Sequence, residues 1–192
     1  MKDLSSHIMD IVQNSIRAEA TEIIVRILEN PEQDVFLLTV RDNGCGMDKM
    51  TLEKVRDPFF TSRTVRKVGL GIPLLQQNAE RTGGKVTIIS KQGKGTTIEA
   101  SFGHAHWDRP PLGDIAEMIT LLVAANPKIH FIYKHTTNNG QYRFDTEEIK
   151  QILEGIPPSH PEILPVLQNM IRENLKDIRT DRTVIQKIYF EN

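Results

Sequence analysis

Three short stretches carry residues whose types and spacing could do chemistry. The first is Leu38-Thr39-Val40-Arg41-Asp42-Asn43-Gly44-Cys45-Gly46-Met47-Asp48. An apolar strand runs into a carboxylate, and glycines follow at alternate positions. Glycine has no Cβ, so the backbone after Asp42 can come close to another group. The second is Gly69-Leu70-Gly71, directly before a helix-like run. Backbone N–H groups at such a helix start can face an anion. The third is a polar set, His7, Asp10, Asn14 and Arg17, whose spacing puts all four on one line along a helix. Each has a plain reading by itself: a solvated turn, a loop, the wet side of a helix. Their fixed order along the chain is what raises the functional reading.

The elements that must position them follow from periodicity. Residues 4–20 read as a helix with Leu4, Ile8, Ile11, Val12 and Ile16 as its apolar stripe. Residues 21–28 and 35–40 are rich in β-branched side chains and form a hairpin around Asn30-Pro31. Asp48 or Thr51 starts a short helix. Asp57-Pro58-Phe59-Phe60-Thr61-Ser62-Arg63 and the basic stretch 64–68 make a loop. A helix then spans 72–82, with Pro73 tolerated in its first turn and Gly83-Gly84 ending it. Strands 85–91 and 96–102 follow. Helices and strands are segregated rather than alternating, so the predicted class is α+β, a two-layer sandwich of helices on a mixed sheet.

Residues 104–113 contain a Pro-Pro pair and read as a linker. The organisation expected is therefore a domain over 1–103, a linker over 104–113, and a small C-terminal helix–hairpin–helix appendage over 114–192. That appendage has a helix capped by Asp114, a hairpin turning on Asn138-Asn139-Gly140, a helix capped by Thr146, and a last helix over 161–178. His104 and His106 read as linker residues, and the appendage as a small satellite core.

Composition excludes several classes. The chain has 192 residues, is 39% hydrophobic and 26% charged, and has a formal net charge of −1. No global basic field points to nucleic acid. No apolar run approaches the length that spans a bilayer, and no charged-then-apolar leader opens the chain. One cysteine, Cys45, leaves no intrachain disulfide and fits a reducing, cytoplasmic compartment; Cys45 is expected to pack beneath a ligand.

The ordered set Asp10-x-x-x-Asn14, Asp42-x-Gly44-x-Gly46, Pro58-Phe-Phe-Thr61, Gly69-Leu70-Gly71 and Gly93-Lys-Gly-Thr-Thr-Ile98 resembles the ATP-binding domain of the GHKL superfamily. Sensor histidine kinases, type II topoisomerases, heat-shock chaperones and MutL-type ATPases share that domain. The resemblance covers residues 4–102 and implies ATP and Mg²⁺ as ligands. It implies that Asn14 holds Mg²⁺, a neutral hard oxygen ligand. It implies that Asp42 accepts from the adenine amino group, with Gly44 and Gly46 letting the backbone pass beneath the base, and that Met47 is ATP-binding. Gly69, Leu70 and Gly71 match the glycine box at the phosphates. Thr96 or Thr97 matches the hydroxyl completing the adenine pocket. Arg17 matches a basic position just after the metal Asn, Arg63, Arg66 and Lys67 match the lid that closes on the triphosphate, and Thr61 of the Pro-Phe-Phe-Thr motif is implied to be ATP-binding.

Two departures shape the functional expectation. Where hydrolysing members carry a water-orienting Glu, this chain has Asp10, one methylene shorter, as the catalytic candidate. No helical hairpin with a phospho-accepting His precedes the first helix, and residues 124–131 with the following turn give a short MutL-like echo. The implied function is a nucleotide-dependent switch or weak ATPase working with an unknown protein partner, with a homodimer left open. The alternatives are a protein kinase acting in trans on a partner's His or Ser, and a non-hydrolysing ATP sensor.

Overall fold

The computed structural model describes residues 3–55 and 71–179. The candidates Thr61, Arg63, Arg66, Lys67, Gly69 and Leu70 lie outside the described residues.

The first helix, α1 (Leu4–Arg17), begins where Asp3 accepts hydrogen bonds from the Ser6 N–H at 2.8 Å and the Ser6 hydroxyl at 2.6 Å. Those donors are among the orphans every helix start leaves. The Ser6 hydroxyl holds the Asp3 carboxyl below the usual carboxylate range. Leu4, Ile8, Ile11 and Val12 are buried as the stripe required, and Ile16 packs at its edge. The hairpin follows as β1 (Glu22–Asn30) and β2 (Val35–Asp42), paired antiparallel with Ile23 opposite Asp42. Next come α2 (Lys49–Lys54), capped by Asp48, then α3 (Gly71–Arg81), β3 (Val86–Lys91) and β4 (Gly95–Gly103). The C-terminal part supplies α4 (Ile115–Ala125), β5 (His130–Thr137), β6 (Gly140–Asp145), α5 (Thr146–Ile152) and α6 (Ile163–Asp177).

All six strands form one mixed sheet in the order β3-β4-β2-β1-β5-β6. Every neighbouring pair is antiparallel except β1 and β5, which run parallel from Glu22 opposite His130 to Leu28 opposite Thr136. Alternation sets the layers. Ile23, Val25 and Ile27 of β1, Phe36, Leu38 and Val40 of β2, and Ile98, Ala100 and Phe102 of β4 enter one apolar layer with the helices. Ile24, Arg26, Thr39, Arg41 and Glu99 take the other face. Helices α1 and α3 pack on one another, and α4 packs on α1 and α6. Here the observed structure departs from the expected satellite. The β5–β6 hairpin extends the sheet itself, and Phe131, Tyr133 and Phe144 belong to the same core as Ile23 and Leu38. The helix after β6 is capped by Asp145, not Thr146. Asp145 accepts the Glu147 N–H at 2.9 Å, and the Thr146 hydroxyl accepts the Phe131 N–H at 2.9 Å.

Residues 104–113 carry no helix or strand, yet they are tied down. The Leu4 and Ser5 N–H groups donate to the carbonyls of Pro111 and Leu112 at 2.8 and 2.9 Å. His104 in this segment is buried. Its Nε2 lies 2.8 Å from Glu29 Oε2, while His135 Nε2 lies 3.0 Å from Glu29 Oε1. The Tyr133 hydroxyl completes the set at 2.9 Å from His135 Nδ1. One carboxylate on β1 thus joins the 104–113 segment to β5. Burial alone would raise the Glu29 pKa, but the hydrogen bonds from the two imidazoles outweigh it and bring it down to about 2.

Candidate functional site

Asp42 stands at the end of β2 and is 8% exposed. Three donors converge on its carboxylate. The Ser15 hydroxyl donates to Oδ2 at 2.7 Å, and the backbone N–H groups of Gly44 and Thr96 donate to Oδ1 at 2.9 and 3.2 Å. An ionised carboxylate offers about four acceptor positions. The described residues therefore use three and leave one for an incoming N–H donor.

The turn after Asp42 requires its glycines. A Cβ on Gly44 would stand 2.6 Å from the Ala18 carbonyl oxygen. At Gly46, φ is +65° and a Cβ would stand 2.1 Å from the Lys91 carbonyl oxygen. The turn is stitched to both sides. The Cys45 N–H donates to the Ala18 carbonyl at 2.8 Å, and the Cys45 carbonyl accepts the Gly93 N–H at 2.7 Å. Asn43 accepts the N–H groups of Thr21 and Glu22 at 2.9 Å each, locking the turn to the start of β1. Cys45 itself is exposed. Its backbone is held on both sides, and its thiol donates to the Gly46 carbonyl at 3.6 Å.

Strand register decides between the two threonines. Thr96 pairs with Asp42 and shares its face; its hydroxyl lies 2.9 Å from the Ser90 hydroxyl, which also accepts the Met47 N–H at 2.9 Å. Thr97 pairs with Arg41 and lines the opposite face of the sheet. The structure therefore groups Thr96 and Met47 with Asp42 and separates Thr97 from them.

The polar line on α1 also divides. Asn14 and Arg17 are exposed, and Arg17 Nη1 donates to Asn14 Oδ1 at 2.8 Å. Asp10 is half-buried and borders the start of α3, since a Cβ on Gly71 would meet its Oδ2 at 3.2 Å. His7 leaves the wet side altogether. It is 1% exposed, and its Nε2 accepts from Asn78 Nδ2 at 3.0 Å. Burial disfavours the charged imidazole and lowers its pKa, with the amino terminus pushing the same way against the raising influence of Asp10 and Asp3.

Among the described residues no group of three His, Cys, Asp or Glu side chains could hold a metal ion. A hard cation at this site would therefore rest on the Asn14 amide oxygen together with oxygens of its ligand and water. Asn14 fits that role by exposure and by donor chemistry, with its oxygen meanwhile held by Arg17.

Sequence reasoning missed Ser15, Ser90 and Asn43. Ser15 is adjacent to Asn14 but points inward, and its partner is 27 positions away. Its only signal was a hydroxyl at an otherwise apolar helical position.

With this geometry in view, comparison with known proteins is decisive. Residues 2–105 match the family described as histidine kinase-, DNA gyrase B- and HSP90-like ATPases. The chain belongs to this family. It is 38% identical over 88 residues to the sensor kinase CckA of Brucella abortus, covering 45% of this chain and 9% of that one. It is 30% identical over 105 residues to the sensor histidine kinase WalK of Bacillus subtilis, covering 50% and 17% respectively. The chain thus spans less than a fifth of the length of these curated relatives. Among solved structures it is similar to the N-terminal domain of a DNA repair protein, with a TM-score of 0.51 and 18% identity over 76% of this chain and 52% of that one. That likeness concerns the fold, and it reaches past residue 105 into the C-terminal part. No helix among the described residues is long and apolar enough to cross a membrane.

Proposed function

We propose that this protein binds ATP with Mg²⁺ between α1, the 42–47 turn and the start of α3, and works as a nucleotide-dependent switch or weak ATPase. The observation that carries the reading is the Asp42 carboxylate with three donors in place and one acceptor position open. Such a group reads the exocyclic amine of adenine and rejects a base that presents a carbonyl there. Gly44 and Gly46 let the backbone pass beneath the base, and Thr96 with Ser90 supplies hydroxyls beside it. Asn14 would hold Mg²⁺, which supplies charge neutralisation at the phosphates. Gly71 at the start of α3, next to Asp10, faces the phosphate end. Asp10 orients water less well than a longer carboxylate, because misplacement by about an ångström costs roughly a hundredfold in rate. The exposed, unpaired Cys45 fits a reducing, cytoplasmic setting.

The test is calorimetric titration of the full chain with Mg-ATP and Mg-GTP. The expected preference for ATP is roughly ten- to a hundredfold, the worth of one hydrogen bond to a charged group. Equal binding of both nucleotides, or undiminished ATP binding by Asp42→Asn, would remove the adenine assignment.

The names of the curated relatives, both sensor kinases, favour a second reading: phosphoryl transfer in trans to a His or Ser of a protein partner. Phosphoryl transfer depends on positioning and charge neutralisation more than on a strong base, so Asp10 is less of an obstacle there. Label from γ-labelled ATP appearing on a second protein, with no free phosphate, would select it over the switch.

A further inference from the structure

The face of the sheet turned away from α1, α3 and α4 carries an open groove of about 580 Å³ across β5, β1, β2 and β4. The nucleotide reading uses none of its residues, and Thr97, which strand register separates from Asp42, lies here. The solvated face of an antiparallel pair ordinarily reads as polar. This one does not. Ile24 pairs with Ile132 of β5, and Leu28 pairs with Leu37 of β2, so two apolar rows cross the face. Leu28 is 39% exposed.

Between those rows stands Arg26, with Lys134 directly opposite it on β5. Like charges facing each other across neighbouring strands destabilise a sheet. The fold does not neutralise this pair. Neither side chain, nor that of Arg41, which pairs with Ile24, has an ion pair or hydrogen bond among the described residues. Arg143, next in the row on β6, is taken up by Asp145 and Glu148. Glu99 is the only carboxylate among the described residues that line the groove, and Thr39 of β2 stands between its strand and Arg26. Two strand spacings put their Cα atoms roughly 10 Å apart. Stability alone does not account for opposed, unneutralised cations between exposed apolar rows. A ligand that brings both carboxylates and apolar surface does.

We infer that this face docks an acidic amphipathic helix of a protein partner. Its carboxylates enter between Lys134, Arg26 and Arg41, and its apolar side chains lie on Ile24, Leu28 and Leu37. Apolar row, cation row and apolar row repeat at roughly 7 Å along β1, two residues per step. Side chains one turn apart on a helix are about 5–6 Å apart, so a helix lying along the strand meets the three rows with an apolar–acidic–apolar stripe. Packing a helix on an uncovered sheet face is also the common way of burying one. Nucleic acid fits less well: single strands are held by aromatic platforms, and none of the groove's lining residues is aromatic.

The probe that tests this is an alanine-based helical peptide with Leu at i and i+7 and Glu at i+3 and i+4, the spacing of one helical face. Its counterpart carries Lys in place of Glu. Each is titrated into the labelled full chain while backbone amide resonances are followed. The expected result is saturable shifts at residues 24–28, 37–41 and 132–136, with the Lys peptide binding at least about tenfold more weakly. The double variant Arg26→Glu, Lys134→Glu should invert that preference, an exchange that a misfolded variant would not show. Lack of saturation, equal binding of the two peptides, a double variant with the parent's preference, or shifts confined to the amides around Asp42, Gly44 and Gly71 would each overturn the inference. So would tighter binding of an oligothymidylate than of the acidic peptide, which selects nucleic acid. Shifts at this face on concentrating the protein alone would overturn it in favour of a second copy.

Discussion

The Ser15 hydroxyl donates to Asp42 Oδ2 at 2.7 Å, joining the inner side of α1 to the end of β2. This bond holds the carboxylate in one orientation. We predict that Ser15→Ala lowers stability by about 1–3 kcal/mol, because a buried charged acceptor loses a donor. ATP affinity should fall with it as the carboxylate turns. Denaturant unfolding and nucleotide titration check both, and an unchanged midpoint with unchanged affinity would show the bond to be dispensable.

The glycines of the site differ in what they tolerate. At Gly46 and Gly95 φ is +65° and +93°, and a Cβ would lie 2.1 Å from a carbonyl oxygen, that of Lys91 and Asp42 respectively. Gly93 also has a positive φ, +73°, but nothing stands within 4 Å. The expected order of damage is therefore Gly46→Ala and Gly95→Ala well above Gly93→Ala. The last should cost about 1–2 kcal/mol, the left-handed backbone penalty alone. Thermal melts of the three variants rank them; a Gly93 variant as damaged as the other two would contradict the close approach.

Acid stability should depend on Glu29. Its carboxyl is brought from 4.5 to about 2 by two imidazoles that outweigh its burial. A depressed folded-state pKa contributes stability that is fully present above the unfolded value and is lost as pH falls through the folded one. The window is thus from about pH 4.5 down to about pH 2. The contribution is about 3 kcal/mol at neutral pH. Glu29→Gln should flatten the stability profile across that window, and a wild-type-like slope in the variant would exclude this origin.

His7 acts at milder pH. It is buried, and its pKa is lowered from 6.5, chiefly by desolvation. The folded state therefore binds fewer protons than the unfolded chain. Stability should be full above pH 6.5 and decline as pH falls below it. Because His7 meets Asn78 on α3, the affinity for ATP should decline in the same range. A His7→Gln protein should show neither decline; if both persist, another group is responsible.

Asp10 sets the last prediction. Asp10→Glu lengthens the carboxylate beside Gly71 by one methylene. If water positioning limits turnover, phosphate release should rise by up to roughly a hundredfold with ATP affinity unchanged. No increase would turn attention from hydrolysis to transfer or sensing.

Much of the half that matches the family was legible. The apolar stripe of α1, the β-branched hairpin and the glycine at each turn are local signals, and they agree with one another. Asp42, Gly44 and Gly46 could be singled out because a strand, a carboxylate and two glycines are contiguous. His7 was misread as part of a wet line, since helical spacing gives an angle around the axis but not which neighbours close over it. The burial of His104 was not legible because neither Glu29 nor His135 is near it in sequence.

By itself the sequence determined the order of elements, the family resemblance and the residue types at the site. These follow from period, turn chemistry and short motifs, all of which act within a few residues. Only the tertiary structure decided that Thr96 and not Thr97 shares a face with Asp42, that Ser15 points at the carboxylate, and that β5 joins β1 to carry the C-terminal hairpin into the same sheet. Strand register and parallel pairing bring together residues tens to a hundred positions apart. A shift of one residue in register would exchange the two faces of a strand. No local propensity encodes that choice; the burial of one shared apolar layer does.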